Sequence, residues 1–406
     1  MKLDPIIVSL LETDMYKFSM GAVIHKMFNE YKTKWTFKCR NKDVKFTPEM
    51  ISEIRAQIDH FCTLKFTAEE LQKLRKLAPW ISDGYFNHLV DWAPKRTEIK
   101  VNEGNIQDYS NCGLAIEAEG TWLNTSMYEI PILAIVNEVY FAFTGDKVKN
   151  DIEFQKKTIE KFEKLKVGEY DIGVFSEFGL RRRYSGEMQD WLIKYIVSEK
   201  IPGFVGTSNV YLAAKYGVKA VGTQAHEYIM CVGQGNHAHN PAYSNKYALR
   251  YWRSYYGIKN GIALTDTITT DCFLRDFIDE FAATFAGVRH DSGDPIEWGE
   301  KMIAHYKKLG IDPMTKTLLF SDSLDFERAT RIKHYFDTKV NVAFGIGTFL
   351  SNPLPNPLNI VMKVTECNGA PVAKISDCDG KSLCRDSEYV NYLQRCIDWR
   401  LRHESK

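Results

Sequence analysis

The feature that most constrains this 406-residue chain is a unit that recurs seven times between about residues 171 and 350: a short apolar run, a polar end, then a helical or loop stretch. The runs are Asp171 to Phe175, Gly203 to Gly206, Ala220 to Gly222, Ile262 to Thr265, Gly287 to Arg289, Thr317 to Phe320 and Val340 to Phe344. They are too short for helices and end in turn-forming or charged residues, as buried parallel strands do. The repetition predicts an α/β fold: an irregular α/β barrel of about seven parallel strands, with its chemistry where the strands end. An open doubly wound sheet would write a similar string.

The flanks read differently. Residues from Thr13 to Asn29 have helical spacing, Lys34 to Lys38 alternate like a strand, and Ile51, Ile54, Ile58 and Phe61 form one helical stripe. Between Glu98 and Pro131, alternating runs punctuated by Gly104, Gly113 and Gly120 predict a small antiparallel sheet, followed by helices over 132–143 and 151–165. After Ser351, Asn-Pro-Leu-Pro-Asn-Pro-Leu breaks regular structure, and Asn359 to Glu366 and Val372 to Ile375 read as strands. The expected division is an α+β N-terminal domain (1–131), the barrel (132–350) and a C-terminal segment (351–406) that returns to complete the discontinuous first domain.

Lys and Arg total 53 against 52 Asp and Glu, which argues against a surface built to coat nucleic acid or an anionic membrane. An anionic ligand must therefore be held in a local pocket. Nine cysteines without a CxxC pair, the nearest being Cys378 and Cys384 in a Gly-containing turn, read as reduced thiols. The N-terminus lacks a signal peptide's apolar core, and no run of about 18 apolar residues marks a membrane span. A cytoplasmic protein is expected.

Several strand ends carry candidate chemistry. Gly345-Ile346-Gly347-Thr348 can cradle a phosphate with backbone N–H groups and a hydroxyl. Arg289-His290-Asp291-Ser292-Gly293-Asp294 combines a fork for phosphate or carboxylate with carboxylates suited to a sugar diol or magnesium. His226 can take a phosphoryl group if one ring nitrogen is oriented by an acceptor, and Asp266 at the next strand end is placed to be that acceptor. Phe178 beside Arg181, Arg182 and Arg183 could hold a flat acidic ring. His237 and His239 have no third ligand nearby and read as a mobile loop.

In one order along nearly the whole chain stand TDMYKFSM (13–20), EFGLRRR (177–183), GTSNV (206–210), GTQAHE (222–227), ALTDT (263–267), RHDSGDP (289–295), LFSDSLD (319–325) and FGIGT (344–348). This set resembles the nicotinate phosphoribosyltransferase family, type II phosphoribosyltransferases with an α/β barrel and an N-terminal sandwich-like domain. The resemblance implies an ATP-dependent enzyme making nicotinate mononucleotide and pyrophosphate from nicotinate and phosphoribosyl pyrophosphate for NAD biosynthesis. Magnesium would accompany the diphosphate and ATP, and its ligands are unassigned. Nicotinate would stack between Phe178 and Tyr16, with Tyr16 from a second subunit if the protein is a homodimer. Arg181, Ser208 and Arg289 would surround the ring and its carboxylate. Asp291 and Asp322 would meet the ribose hydroxyls, Ser292 would join the substrate-binding set, Gly347 and Thr348 would hold the 5′-phosphate, and ATP would phosphorylate His226. The related nicotinamide-using enzyme has an aspartate at the point matching Ser208, so a neutral, donating serine favours the acid over the amide. The alternatives are a phosphoribosyltransferase acting on nicotinamide or quinolinate and, in another class, a phosphate-binding barrel lyase or isomerase. Against the last, no lysine stands at any of the seven strand ends.

Overall fold

The computed structural model describes residues 2–105, 111–222, 224–258, 261–377, 384 and 386–404. Cys378, and with it the Cys378–Cys384 turn, lies outside these residues. The described strands form two sheets. One is antiparallel: β1 (Lys32–Cys39), β2 (Ile99–Glu103), β3 (Leu114–Thr121), β11 (Ile360–Cys367) and β12 (Ala370–Pro371), in the order β12-β11-β1-β3-β2. Its central strand β1 buries Trp35 and Phe37, two residues apart on one face of the pleat.

The second sheet is parallel: β4 (Val174–Glu177), β5 (Phe204–Thr207), β6 (Lys219–Ala220), β7 (Ile262–Leu264), β8 (Gly287–His290), β9 (Thr317–Phe320) and β10 (Asn341–Ile346), in the order β6-β5-β4-β10-β9-β8-β7. All seven predicted runs supply a strand of this α/β half-barrel. Among the described residues β6 and β7 are not paired. At this seam the β7 edge donates the Leu264 N–H to the Gln224 side chain at 3.3 Å, so a side chain takes the place of a ladder bond.

The C-terminal segment is divided between the sheets. β11 runs antiparallel to β1 from Thr33↔Cys367 to Cys39↔Ile360. In the second predicted strand, Val372 to Ile375, the Val372 N–H still donates to Thr365 O of β11 at 3.1 Å, and the stretch then leaves that sheet. The Ile375 N–H donates to Thr267 O at 2.8 Å and the Ile375 carbonyl accepts from Thr269 N–H at 3.0 Å, which docks this stretch on the exit of β7. Ile268, Cys272, Ala373, Ile375, Leu393 and Ile397 form a separate small core there, closed by the final helix Ser387–His403. Burying these apolar side chains against the barrel outweighs one more pair of ladder bonds at a sheet edge. Among the described residues no helix is long and apolar enough to cross a membrane.

Candidate functional site

A cavity of about 590 Å³ lies between the exits of the parallel strands and the face of β1 and β11. Tyr16, Phe178, Arg181, Ser208, His226, Arg289, Asp291, Asp322, Gly347 and Thr348 all line it. Asp266 and Ser292 do not; both are buried just behind, Ser292 hydrogen-bonding Asp266 and accepting from Ser376 at 2.9 Å.

The ring end is built by close backbone approach. Phe178 N–H donates to Ile346 O at 2.8 Å, and a Cβ on Gly345 would run into the Phe178 ring, so glycine on β10 makes room for the aromatic. Tyr16 sits in the helix Met15–Met27, whose Met15 N–H donates to Ser208 O at 2.8 Å. A Cβ on Gly222 would come within 2.7 Å of the Tyr16 nitrogen. Tyr16 and Phe178 thus reach one cavity in a single chain, and Tyr16 needs no second subunit to arrive there.

Ser208 is not a free donor. Its hydroxyl donates to Asp14 Oδ1 at 2.6 Å, and Asp14 itself lines the cavity. Burial raises the Asp14 carboxyl against the Ser208 bond and Arg181. A carboxyl therefore stands one bond behind the serine that sequence reasoning took as the neutral discriminator. Arg181 lies 3.9 Å from Glu129 Oε1, and the buried Arg289 Nε has no hydrogen-bond partner among the described residues.

His226 opens the helix His226–Gln234, whose nine residues are all buried. Its Nδ1 is 3.0 Å from Thr267 Oγ1; its Nε2 is 2.9 Å from Asp291 Oδ2 and 3.0 Å from Lys374 Nζ. The expected acceptor, Asp266, is 3.7 Å from that nitrogen and instead takes the Lys374 ammonium at 2.7 Å. Thr267, one residue further along, holds the other ring nitrogen. The geometric reason is the docking of 372–375 on the β7 exit, which drives Lys374 between the carboxylate and the ring. Burial and then Lys374 push the imidazole down to about 4, so the ring is neutral at pH 7. Burial would raise the Asp291 carboxyl, but its bond to His226 and the Arg289 charge hold it well below the usual range.

His226, Asp266 and Asp291 could group around a cation, and Lys374 already supplies one to this trio, 2.7 Å from Asp266 and 3.0 Å from His226. The trio is therefore not a vacant metal set. A second concentration of positive charge lines the cavity: Arg40 after β1, Arg182 and Lys363 on β11. Burial and then Arg181 lower Arg40; burial, Arg181 and Arg40 push Arg182 down to about 9; burial, against Glu129 and alongside Arg181, pushes Lys363 down to about 8. Cations crowded to this degree are what a polyanionic ligand relieves.

Sequence reasoning missed Asp14, Arg40, Thr267, Lys363 and Lys374. The last two reach the cavity from the C-terminal segment, not from the seven strand ends. Their signal was a lone lysine within an apolar run, Ile360-Val361-Met362-Lys363-Val364 and Val372-Ala373-Lys374-Ile375. The HxH loop is packed at one residue: His239 stacks on Tyr247 with centroids 3.8 Å apart and approaches Val232 O at 3.1 Å through Nδ1.

Comparison with known proteins agrees with the string matches. The chain is 41% identical over 403 residues to nicotinate phosphoribosyltransferase of Photorhabdus laumondii, covering 97% of this chain and 96% of that protein. It is 42% identical over 392 residues to the protein of that name from Cupriavidus necator, covering 96% and 98%. Among crystal structures, nicotinate phosphoribosyltransferase from Vibrio cholerae superposes with a TM-score of 0.89 at 34% identity, covering 98% of each chain. The one from Porphyromonas gingivalis gives 0.87 at 32%, covering 97% and 100%. The model of the nicotinate phosphoribosyltransferase (NAPRTase) family matches residues 174–399 and that of its N-terminal domain residues 11–137, and the chain belongs to this family.

Proposed function

We propose that the protein is a nicotinate phosphoribosyltransferase: the pyridine nitrogen of nicotinate attacks the anomeric carbon of phosphoribosyl pyrophosphate, and pyrophosphate leaves with the electrons of the broken C–O bond. The observation that carries this reading is the pairing, in one cavity, of an aromatic end with a crowded cationic end. Phe178 and Tyr16 offer flat surface to the ring, with Arg181 and Arg289 for its carboxylate. Gly347 and Thr348 suit the 5′-phosphate, and Asp291 and Asp322 suit the ribose hydroxyls and the positive charge that builds on the sugar. Arg40, Arg182 and Lys363 suit the diphosphate and its departing charge. The attacking nitrogen has a lone pair and no proton to lose, so the chemistry asks for alignment and leaving-group stabilisation, not a general base. Magnesium fits as a counter-ion brought in on the diphosphate, where it would neutralise charge.

His226 is proposed as the residue that ATP phosphorylates. The neutral ring supports this: in the tautomer with Nδ1–H donated to Thr267, Nε2 keeps its lone pair toward Lys374, whereas in the other tautomer Nε2–H donates to Asp291. Nε2 would attack the γ-phosphorus, the bond to ADP would break, and the new N–P group would add roughly two negative charges beside Lys374. Asp266 would act through Lys374, which it fixes, and Ser292 through Asp266.

The test is incubation with labelled ATP and mapping of acid-labile, base-stable phosphate, together with pyrophosphate release in the presence of nicotinate, nicotinamide or quinolinate. Label on His226, release with nicotinate, and loss of ATP stimulation in His226→Ala are expected. Equal stimulation of parent and variant would overturn the phosphohistidine, and release with neither nicotinate nor its analogues would overturn the activity.

A further inference from the structure

Lys17 is the neighbour of Tyr16, and its ammonium lies 5.4 Å from the centre of the Tyr16 ring. Its ammonium is fully buried and bonds Glu129 Oε2 and Glu227 Oε2, each at 2.7 Å, with the Trp35 ring 5.0 Å away. Both carboxylates line the cavity that Lys17 itself does not reach. Glu129 turns its other oxygen toward Arg181 at 3.9 Å, while Glu227 accepts from Ser126 and is the chain neighbour of His226. One buried cation thus sits under two acids on three helices, Met15–Met27, Glu129–Thr144 and His226–Gln234, that surround the ring end.

A buried acid beside a pocket for an anionic ring is an electrostatic liability. Without a counter-charge, Glu129 would repel the ring's carboxylate and would draw Arg181 onto itself. We infer that Lys17 is a positioning residue of the ring pocket, acting on Glu129 and Glu227 to offset one of their two charges so that Arg181 is left for an anionic pyridine. This rests on the reading of the cavity as a nicotinate site and specifies how that site tolerates its own acids. The groups that face the pair are Lys17, Arg181, Lys363, Asp14 and Tyr16 around Glu129, and Lys17, Glu129, Ser126, Tyr16 and Cys231 around Glu227.

The test is equilibrium binding of an anionic and a neutral pyridine, nicotinate and nicotinamide, to the parent protein and to Lys17→Met, Lys17→Arg and Lys17→Met/Glu227→Gln. Lys17→Met should weaken nicotinate about tenfold or more at pH 8, since an uncancelled charge in a partly desolvated site acts over several ångströms. Nicotinamide should shift less than about twofold on the same grounds, because it carries no net charge. The nicotinate penalty should shrink as pH is lowered, because orphaned carboxyls take up protons there and become neutral. Lys17→Arg should keep the parent ratio of the two affinities. If Lys17→Met does not fold, the double variant is compared with Glu227→Gln alone, and weaker nicotinate binding by the double variant is expected. Equal losses for both pyridines, or an unchanged ratio at every pH, would make Lys17 merely structural and overturn the inference. A parent that binds neither pyridine would instead overturn the nicotinate site itself.

Discussion

The two walls of the cavity are made of different material. The half-barrel wall offers strand ends: Phe178 after β4, Ser208 after β5, Asp291 after β8, Asp322 after β9, Gly347 and Thr348 after β10. It is a wall of rings, hydroxyls, carboxylates and backbone N–H groups, with Arg181, Arg182 and Arg289 among them. The opposing wall is a strand face, and from it and its continuation come Trp35, Arg40, Lys363 and Lys374. Arginines thus reach the cavity from both walls, while among the described residues its two lining lysines come from the second. Strand-end loops can be varied in shape without disturbing a core, whereas a lysine on a sheet face is held stiffly and at fixed depth. The second arrangement suits a group whose task is to meet charge at one place.

The sharpest way to break this division is on the cationic wall. Lys363→Met should raise the KM for phosphoribosyl pyrophosphate by about 10- to 100-fold, the usual worth of a charge-assisted contact, and move the nicotinate KM much less, through Glu129 alone. A variant that loses nicotinate affinity equally would show that the walls are not separate. The parent adds a pH signature. With the amine pushed down to about 8, Lys363 is charged below that pH and loses its proton as pH rises through it. Diphosphate affinity should therefore fall above pH 8 in the parent and stay level in Lys363→Arg, measured as KM across pH 6.5–9.5.

A smaller effect is expected on the barrel wall. Ser208→Asp places a second carboxyl beside Asp14 and should weaken nicotinate by about tenfold through like-charge repulsion, with the diphosphate KM unmoved. Unchanged nicotinate kinetics would remove Ser208 from the ring pocket. The smallest concerns Gly345. Gly345→Ala forces the Phe178 ring to shift and should cost about 1–3 kcal/mol of stability by overpacking, with a raised nicotinate KM. Thermal unfolding and steady-state kinetics on one preparation check both.

The same contrast explains what could be read from residues alone. Phe178, Asp291, Asp322, Gly347 and Thr348 follow short apolar runs directly, and a strand that ends tells where its next side chains stand. Lys363 sits in Ile360-Val361-Met362-Lys363-Val364, where a lone lysine reads as the solvent position of a half-buried strand. Whether that side faces water or a cavity depends on which sheet lies opposite. Asp266 was assigned to His226 from their shared place at neighbouring strand ends. The displacement of that contact to Thr267 comes from a lysine that no local pattern connects to either residue.

By itself the amino-acid sequence determined the repeating strand–helix unit, the seven parallel strands and the polar groups at their exits, because backbone geometry imposes those periods over a few residues. The tertiary structure alone decided that Tyr16 and Phe178 line one cavity within one chain, that the Ser208 hydroxyl hydrogen-bonds to Asp14, and that Lys374 reaches His226 across 148 residues. Such contacts follow from how two sheets pack and where the C-terminal segment docks. Those choices minimise exposed apolar surface over the whole molecule and leave no mark at the sequence distance of a turn or a strand.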